Sequence, residues 1–193
     1  MMQVAHIKWE SDLIKGCQQS ERQAQKRLYE HYHGTMMGVC MRYAANREEA
    51  LEIVNNGFLK VFKSIENYKT SGSFEGWIKR IMVNCGIDHF RRTKGAIRKI
   101  DEVNVEYDLN KGADSNVIAS LAAEDILSLI QKLPPSYKIV FNLYAIEGYN
   151  HREIAEQLNI SEGTSKSALS KARVKLQAML QDLNTINNKS HVK

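Results

Sequence analysis

The chain carries only two prolines, and they are adjacent, at Pro134 and Pro135. Average usage of about 5% would place roughly ten in a chain of this length. Proline ends or kinks a helix because it lacks an amide donor and clashes with the preceding turn. Everything before residue 134 therefore lacks the strongest helix breaker. Hydrophobic residues make up 43% of the 193, enough to cover the inner faces of helices packed on one another. The pattern predicts an all-α globular protein and excludes a collagen-like or broadly disordered chain. No apolar run approaches the ~18 residues that a membrane-spanning helix needs. The segment from Met1 to Glu10 includes His6 and Lys8 and lacks the apolar stretch of a signal peptide.

Periodicity places the helices. Leu28, Tyr32, Met36, Val39 and Tyr43 step at helical spacing and predict a helix over Glu21–Ala45. Asn46 is a candidate cap for a second helix to about Ser64, with Glu48 and Glu49 in its first turn. Its inner face is Ala50, Ile53, Val54, Phe58, Val61, Phe62 and Ile65. Glu66 to Ser73 is polar, without period, and reads as a loop. Ser73 is a candidate cap for a third helix, Phe74 to about Thr93, with Trp77, Ile78, Ile81, Met82 and Cys85 inward. Lys94 to Asn116 has no helical stripe and reads as a linker, since so long an irregular segment is uncommon inside one domain. Beyond it, Ile118–Lys132 and Tyr137–Ile146 read as helices around the two prolines. The second buries Ile139, Val140, Leu143 and Tyr144. His151–Leu158 and Glu162 to about Leu183 complete the set. The domains are thus 10–95, a linker 96–117, 118–183, and a polar tail 184–193.

The net charge of +5 says little until it is divided along the chain. Trp77 to Ile100 carries a net charge of +6, and Asp101 to Ile130 carries −6. Such a reversal suggests an element that binds a polyanion, followed by one that stays off it. Cys17, Cys40 and Cys85 are far apart, lie among apolar neighbours and form no C-x-x-C. They read as small buried hydrophobes in a reduced, cytoplasmic protein, not as a disulfide framework or a zinc site.

The stretch Arg152 to Thr164 reads as a helix-turn-helix. Ala155 is the small residue where two helices cross, and Ile154, Leu158 and Ile160 form the shared apolar wedge. Asn159 tolerates the left-handed conformation of the tight turn, and Ser161 is a good N-cap. The second helix places Leu169, Ala172, Leu176 and Met179 inward. Its outward face offers Ser165, Lys166, Ser167, Ser170, Lys171, Arg173 and Lys175, although Ser165 stands where many such motifs have an apolar residue. In such motifs this helix enters the DNA major groove, with hydroxyls and lysines at base edges and bases farther along on phosphates.

Taken in order, the strings of both halves resemble an extracytoplasmic-function sigma factor of the sigma-70 family, over about residues 10–183. In the second half they are Leu133-Pro134, Tyr144 to Tyr149, Glu153-Ile154-Ala155, Ile160 to Ser167 and Leu169 to Arg173. In the first half they are Glu49 to Phe62, Phe74 to Ile81, Asn84, and Asp88 to Arg92. The resemblance implies two small helical domains joined by an acidic linker. The first would dock on the clamp helices of core RNA polymerase through Glu52, Asn55, Asn56, Leu59, Lys60 and Lys63. Asn55 and Asn56 replace the glutamine and acid that the family usually has there. The third helix and its preceding loop would read and open the −10 element through Asn67, Tyr68, Lys69, Lys79, Arg80, Asn84, Asp88, Arg91 and Arg92. A basic platform and a pocket for an unstacked base are what such opening requires. His89 is expected at the surface or on the DNA backbone. The second domain would read the −35 element through Arg152, Thr164, Ser165, Lys166, Ser167, Ser170, Lys171 and Arg173, and touch the polymerase flap. The acidic linker would thread a basic channel toward the RNA exit path. The partners implied are core RNA polymerase, promoter DNA and an anti-sigma factor, in many cases held at a membrane. No cofactor, metal, catalytic residue or small-molecule substrate is implied.

Two other classes fit parts of the pattern. One is a helix-turn-helix regulator that acts without core polymerase. It requires a sensing pocket or phospho-acceptor in the first half, which instead shows a basic helix and a polar face. The other is a nucleic-acid enzyme that uses the cysteines. The histidines form no i,i+4 metal pair, and no Gly-rich phosphate loop is present.

Overall fold

The computed structural model describes residues 2–69, 72–97 and 123–190. All elements in these stretches are helical: α1 (Met2–Gln18), α2 (Arg22–Met41), α3 (Arg47–Ser64), α4 (Phe74–Ile97), α5 (Ala123–Gln131), α6 (Pro135–Phe141), α7 (His151–Leu158) and α8 (Glu162–Ser190). The chain divides into two compact units, Met1–His89 and Phe90–Lys193, the division falling inside α4.

The first unit is built on the predicted stripes. Leu28, Tyr32, Met36, Val39 and Tyr43 are all buried, as are Ala50, Ile53, Val54, Phe58, Val61 and Ile65. Asn46 caps α3 as its sequence suggests, its Oδ1 accepting from the Glu49 amide at 2.8 Å. Glu49 Oε2 in turn accepts from the Ala45 amide at 2.9 Å. Ser73 caps α4, its Oγ accepting from the Gly76 amide at 3.3 Å. Gly57 lets α3 approach α4 closely, because a side chain there would run into Met82, which is fully buried.

Several boundaries differ from expectation. The sequence reading leaves the residues before Glu21 unassigned, yet α1 lies there and buries Leu13, Ile14 and Cys17. It ends on Ser20 in the left-handed conformation (φ 59°), with Ser20 N–H donating to Cys17 O and Glu21 N–H to Gly16 O. This is the Schellman pattern with serine where glycine is usual, so the common stop signal is missing from the sequence. α2 stops at Met41, four residues short of the predicted Ala45. The predicted loop after α3 begins with a single 3₁₀ turn, Ile65–Asn67, whose Ile65 carbonyl accepts from Gln18 Nε2 at 3.2 Å. α4 continues to Ile97, into the segment read as linker, and residues 98–122 lie outside the described ones.

The second unit starts at the paired prolines. Pro134 is the N-cap of α6 and Pro135 its first residue, where a missing amide costs nothing. Past Phe141 the helix widens into a π turn, Asn142–Ile146, closed by Glu147 N–H donating to Asn142 O at 3.0 Å. The extra residue in that turn shifts the helical phase. Tyr144, predicted to face inward, is consequently exposed, while Leu143 is fully buried. α7 opens on a full capping box, Asn150 with Glu153. α8 runs to Ser190, past the predicted end at Leu183, since no glycine or proline intervenes to stop it.

Candidate nucleic-acid interface

The helix-turn-helix is held by local chemistry that its sequence announces. Asn159 ends α7 at φ 52°, ψ 56°, in the left-handed region, and Ile160 N–H reaches back to Ala155 O at 3.1 Å. Ser161 Oγ accepts from the Thr164 amide at 3.0 Å and starts α8. Ile154, Ala155, Leu158, Leu169 and Ala172 are buried between the helices.

On α8 the exposed positions are Thr164, Lys166, Ser167, Lys171 and Arg173, with Ser170 half-buried. Lys166 lies 3.9 Å from Glu162, and Arg152 on α7 pairs with Glu156 at 3.3 Å; both are exposed i,i+4 pairs. Lys171 and Arg173 lie on opposite flanks of the outer face. The Lys171 ammonium sits 6.0 Å from the Tyr137 ring centroid, and the Arg173 guanidinium 5.8 Å from that of Tyr144.

Ser165 is the correction. The sequence reading turns it outward to DNA, but it has no exposed surface. With Ala168, Leu169 and Ala172 it forms the inner face of α8, and its hydroxyl is hydrogen-bonded to Nδ1 of His151 at 2.9 Å. The signal was present: Ser165, Leu169, Ala172 and Leu176 follow i, i+4, i+7, i+11 spacing. By spacing Ser165 belongs to the inner face, although its polar side chain suggests the outer one.

On α4, Arg80, Asn84 and Arg91 are exposed and share one face with the half-buried Asp88. Arg92 is exposed beside them and Lys79 is half-buried. Asp88 Oδ2 accepts from the Lys60 ammonium of α3 at 2.9 Å, and this bond raises the lysine pKa. Lys60, expected on the polymerase-docking face, is exposed on α3 but reaches across to α4. His89, expected at the surface, is buried and its Nε2 lies 3.3 Å from Glu49 Oε2. Adjacent residues of α4 are therefore tied to both ends of α3. Burial of His89 follows from its place one residue beyond Asp88, on the side of α4 that meets α3.

The loop residues are braced by aromatic packing. The Tyr68 ring packs at a tilt against Phe74 (4.9 Å between centroids) and Trp77 (5.1 Å), and its hydroxyl donates to Gly72 O at 3.2 Å. Burial raises the Tyr68 pKa, with Glu10 adding to the effect. Phe74 is core; Trp77 is half-buried; Asn67 and Lys69 are exposed.

The outward face of α3 carries Glu52, Asn55, Leu59, Lys60 and Lys63, all exposed, and the half-buried Asn56. Asn55 Oδ1 accepts from Tyr29 Oη at 3.2 Å. Leu59 is 58% exposed and Leu51, two turns earlier, 41%. The sequence reading missed Leu51, although its spacing to Asn55 and Leu59 places all three on one face. Two large apolar side chains left in water among polar ones are the informative feature of this helix.

A basic helix and a capped helix-turn-helix define the class as DNA-binding, and α3 adds an exposed face of mixed polar and apolar residues. Residues 28–96 match the family described as Sigma-70 region 2, and residues 123–176 that described as Sigma-70, region 4. The chain is 32% identical over 143 residues to the ECF RNA polymerase sigma factor SigE of Mycolicibacterium smegmatis, covering 72% of this chain and 54% of that relative's length. It is 24% identical to the ECF RNA polymerase sigma-E factor of Haemophilus influenzae over 89% of this chain and 95% of that one. It is 27% identical to SigW of Bacillus subtilis over 88% and 96%. The chain belongs to the sigma-70 family, as an RNA polymerase sigma factor of the extracytoplasmic-function group.

Among the described residues no helix is long and apolar enough to cross a membrane, and no cluster of His, Cys, Asp and Glu has the makings of a metal site. All three cysteines are buried thiols.

Proposed function

We propose that this sigma factor divides its work among three helices. Through Glu52, Asn55, Asn56, Leu59 and Lys63, α3 docks on core RNA polymerase. Leu51 adds a second apolar anchor to that face. α4, with Arg80, Asn84, Asp88, Arg91 and Arg92, and the segment at Asn67, Tyr68 and Lys69, read and open the −10 element. Lys79 contributes charge at the margin of that surface. α8 reads the −35 element with Thr164, Lys166, Ser167 and Ser170, while Arg152, Lys171 and Arg173 hold the backbone. The domain limits 10–95 and 118–183, the linker between them and an anti-sigma partner that covers these faces belong to the same proposal. So do the cytoplasmic setting and the absence of covalent chemistry.

The observation that carries the reading is the pair of family matches, region 2 before region 4, on a chain whose docking face, basic helix and helix-turn-helix fall in the matched stretches. A regulator acting without polymerase has no use for the region 2 match. The test is reconstitution of the full chain with core RNA polymerase on genomic DNA, followed by sequencing of transcript starts. New starts downstream of a shared pair of elements, absent with core enzyme alone, are expected. Starts identical to those of core enzyme alone, or specific promoter binding by the chain without polymerase, defeat the reading.

A further inference from the structure

Four side chains of the second unit make a continuous path around the helix-turn-helix. Ser165, in the first turn of α8, is fully buried, and its hydroxyl lies 2.9 Å from Nδ1 of His151, the first residue of α7. The His151 ring stacks on that of Tyr144, with centroids 4.6 Å apart and planes at 24°. The Arg173 guanidinium carbon stands 5.8 Å from the centroid of the same tyrosine ring. The path leaves α8 at Ser165, crosses the start of α7 and the π turn, and returns to α8 about two turns later.

Each link has a physical reason. A buried hydroxyl and a half-buried imidazole both lose free energy unless they pair. Their pairing admits one rotation of α8, since a step of one residue turns the helix by about 100°. Such a step would carry Ser165 away from His151 and push Thr164 or Lys166 into the interface. The π turn is what presents Tyr144 at the surface, where its ring stacks on an imidazole and lies beneath a guanidinium. A free arginine loses side-chain entropy when a phosphate immobilises it, and one already held over a ring loses less.

We propose that Ser165, His151 and Tyr144 are positioning residues for −35 recognition. The Ser165–His151 bond sets the rotation of α8, and Tyr144 holds Arg173 where it meets a backbone phosphate. This rests on the reading of α8 as the −35 helix. Ser165 itself, being buried, acts on DNA only through the other three.

The test uses holoenzyme assembled from the full chain and core polymerase. The probes are a promoter duplex defined by the mapped transcript starts and the same duplex with its −35 element scrambled. Arg173→Ala and Tyr144→Ala are each expected to weaken binding to the intact duplex by about three- to tenfold. The double variant should bind no more weakly than Arg173→Ala alone, because the two residues act through one contact. His151→Ala should behave like Tyr144→Ala, Tyr144→Phe should keep wild-type affinity, and on the scrambled duplex the same variants should lose a similar factor, because a phosphate contact carries no sequence information. Fully additive losses, or a Tyr144→Ala variant of wild-type affinity, overturn the proposal and leave α8 as the reader. A urea midpoint of His151→Ala or Tyr144→Ala too low for the chain to be folded under the binding conditions marks a folding defect and overturns it as well. A wild-type holoenzyme indifferent to the scrambled element removes the reading of α8 itself, and the positioning chain with it.

Discussion

The Cys17 and Cys40 thiols illustrate how a residue's environment determines what it can do. Burial raises Cys17 to about 11, with Glu21 nearby adding to the shift. Burial raises Cys40 to about 12, with Cys85 adding and Arg42 opposing. Both thiols stay protonated at neutral pH, so neither is a ready nucleophile, as their apolar neighbours in the sequence suggest. The sign of the linkage follows. A thiol whose folded pKa lies above its ordinary 9.0 holds its proton longer in the folded chain than in the unfolded one. Its contribution is complete below pH 9 and is lost as pH climbs toward the folded value, by about 1.4 kcal/mol per pH unit for each thiol. Urea midpoints measured from pH 7 to 10.5 should fall less steeply above pH 9 in Cys40→Ala than in wild type. Identical slopes would show that Cys40 ionises freely. Other residues were less legible. Asn159 was read correctly because left-handed turns favour asparagine. Ser165 and His89 look exposed by residue type, yet each is buried and finds a polar partner on another helix. Those partners lie 14 and 40 positions away, beyond the reach of any local pattern.

At the scale of the element, stripes and caps were readable and phase changes were not. α3 could be drawn from Asn46, its acidic first turn and its apolar spacing, because all of these act within one turn of the backbone. The π turn after α6 has no comparable signature, and it displaced Tyr144 from the predicted core to the surface. α1 was missed because its stop is a left-handed serine, not a glycine. Glycines inside helices carry the opposite kind of information, which only packing reveals. Gly57 and Gly34 both sit within helices, where alanine is favoured by about 1 kcal/mol. At Gly34 nothing stands within 4 Å of an added Cβ, so Gly34→Ala should stabilise the chain by about 0.5–1 kcal/mol. At Gly57 the added methyl meets the sulfur and terminal methyl of Met82, which is fully buried and must shift within the core. Overpacking there costs about 1–3 kcal/mol and outweighs the helix preference, leaving a net loss near 1 kcal/mol. Paired urea titrations of the two variants check the opposite signs. A gain at Gly57 would mean that α3 and α4 separate easily, and that the helices proposed to dock on polymerase and to read the −10 element are not locked together.

For the whole molecule, the division of charge is what the sequence conveyed best. Charge depends on composition alone, so the excess of bases over Trp77–Ile100 could be counted before any fold was known. What counting cannot supply is direction. In the fold, Arg80, Asn84, Asp88 and Arg91 line one face of α4, while Lys60 of α3 neutralises Asp88 at its edge. The exposed face of α4 is therefore more uniformly positive than the sequence of α4 alone implies. A duplex or bubble edge bound there releases counterions, and the logarithm of affinity falls with the logarithm of salt by about 0.9 for each phosphate neutralised. Replacing Arg80, Arg91 or Arg92 singly by Gln should therefore shallow the salt slope of open-complex formation by about one unit each. Lys60→Gln should leave the slope nearly unchanged, since its charge is spent on Asp88 and not on a phosphate. Thr164→Ala, on the helix proposed to read the −35 element, should lower affinity at every salt concentration without altering the slope, because a neutral hydroxyl displaces no counterion. Open complexes scored with an unpaired-base probe across a salt series separate these outcomes. If the slope survives removal of all three arginines, the bases of α4 do not meet the promoter backbone, and the −10 element is read from another surface.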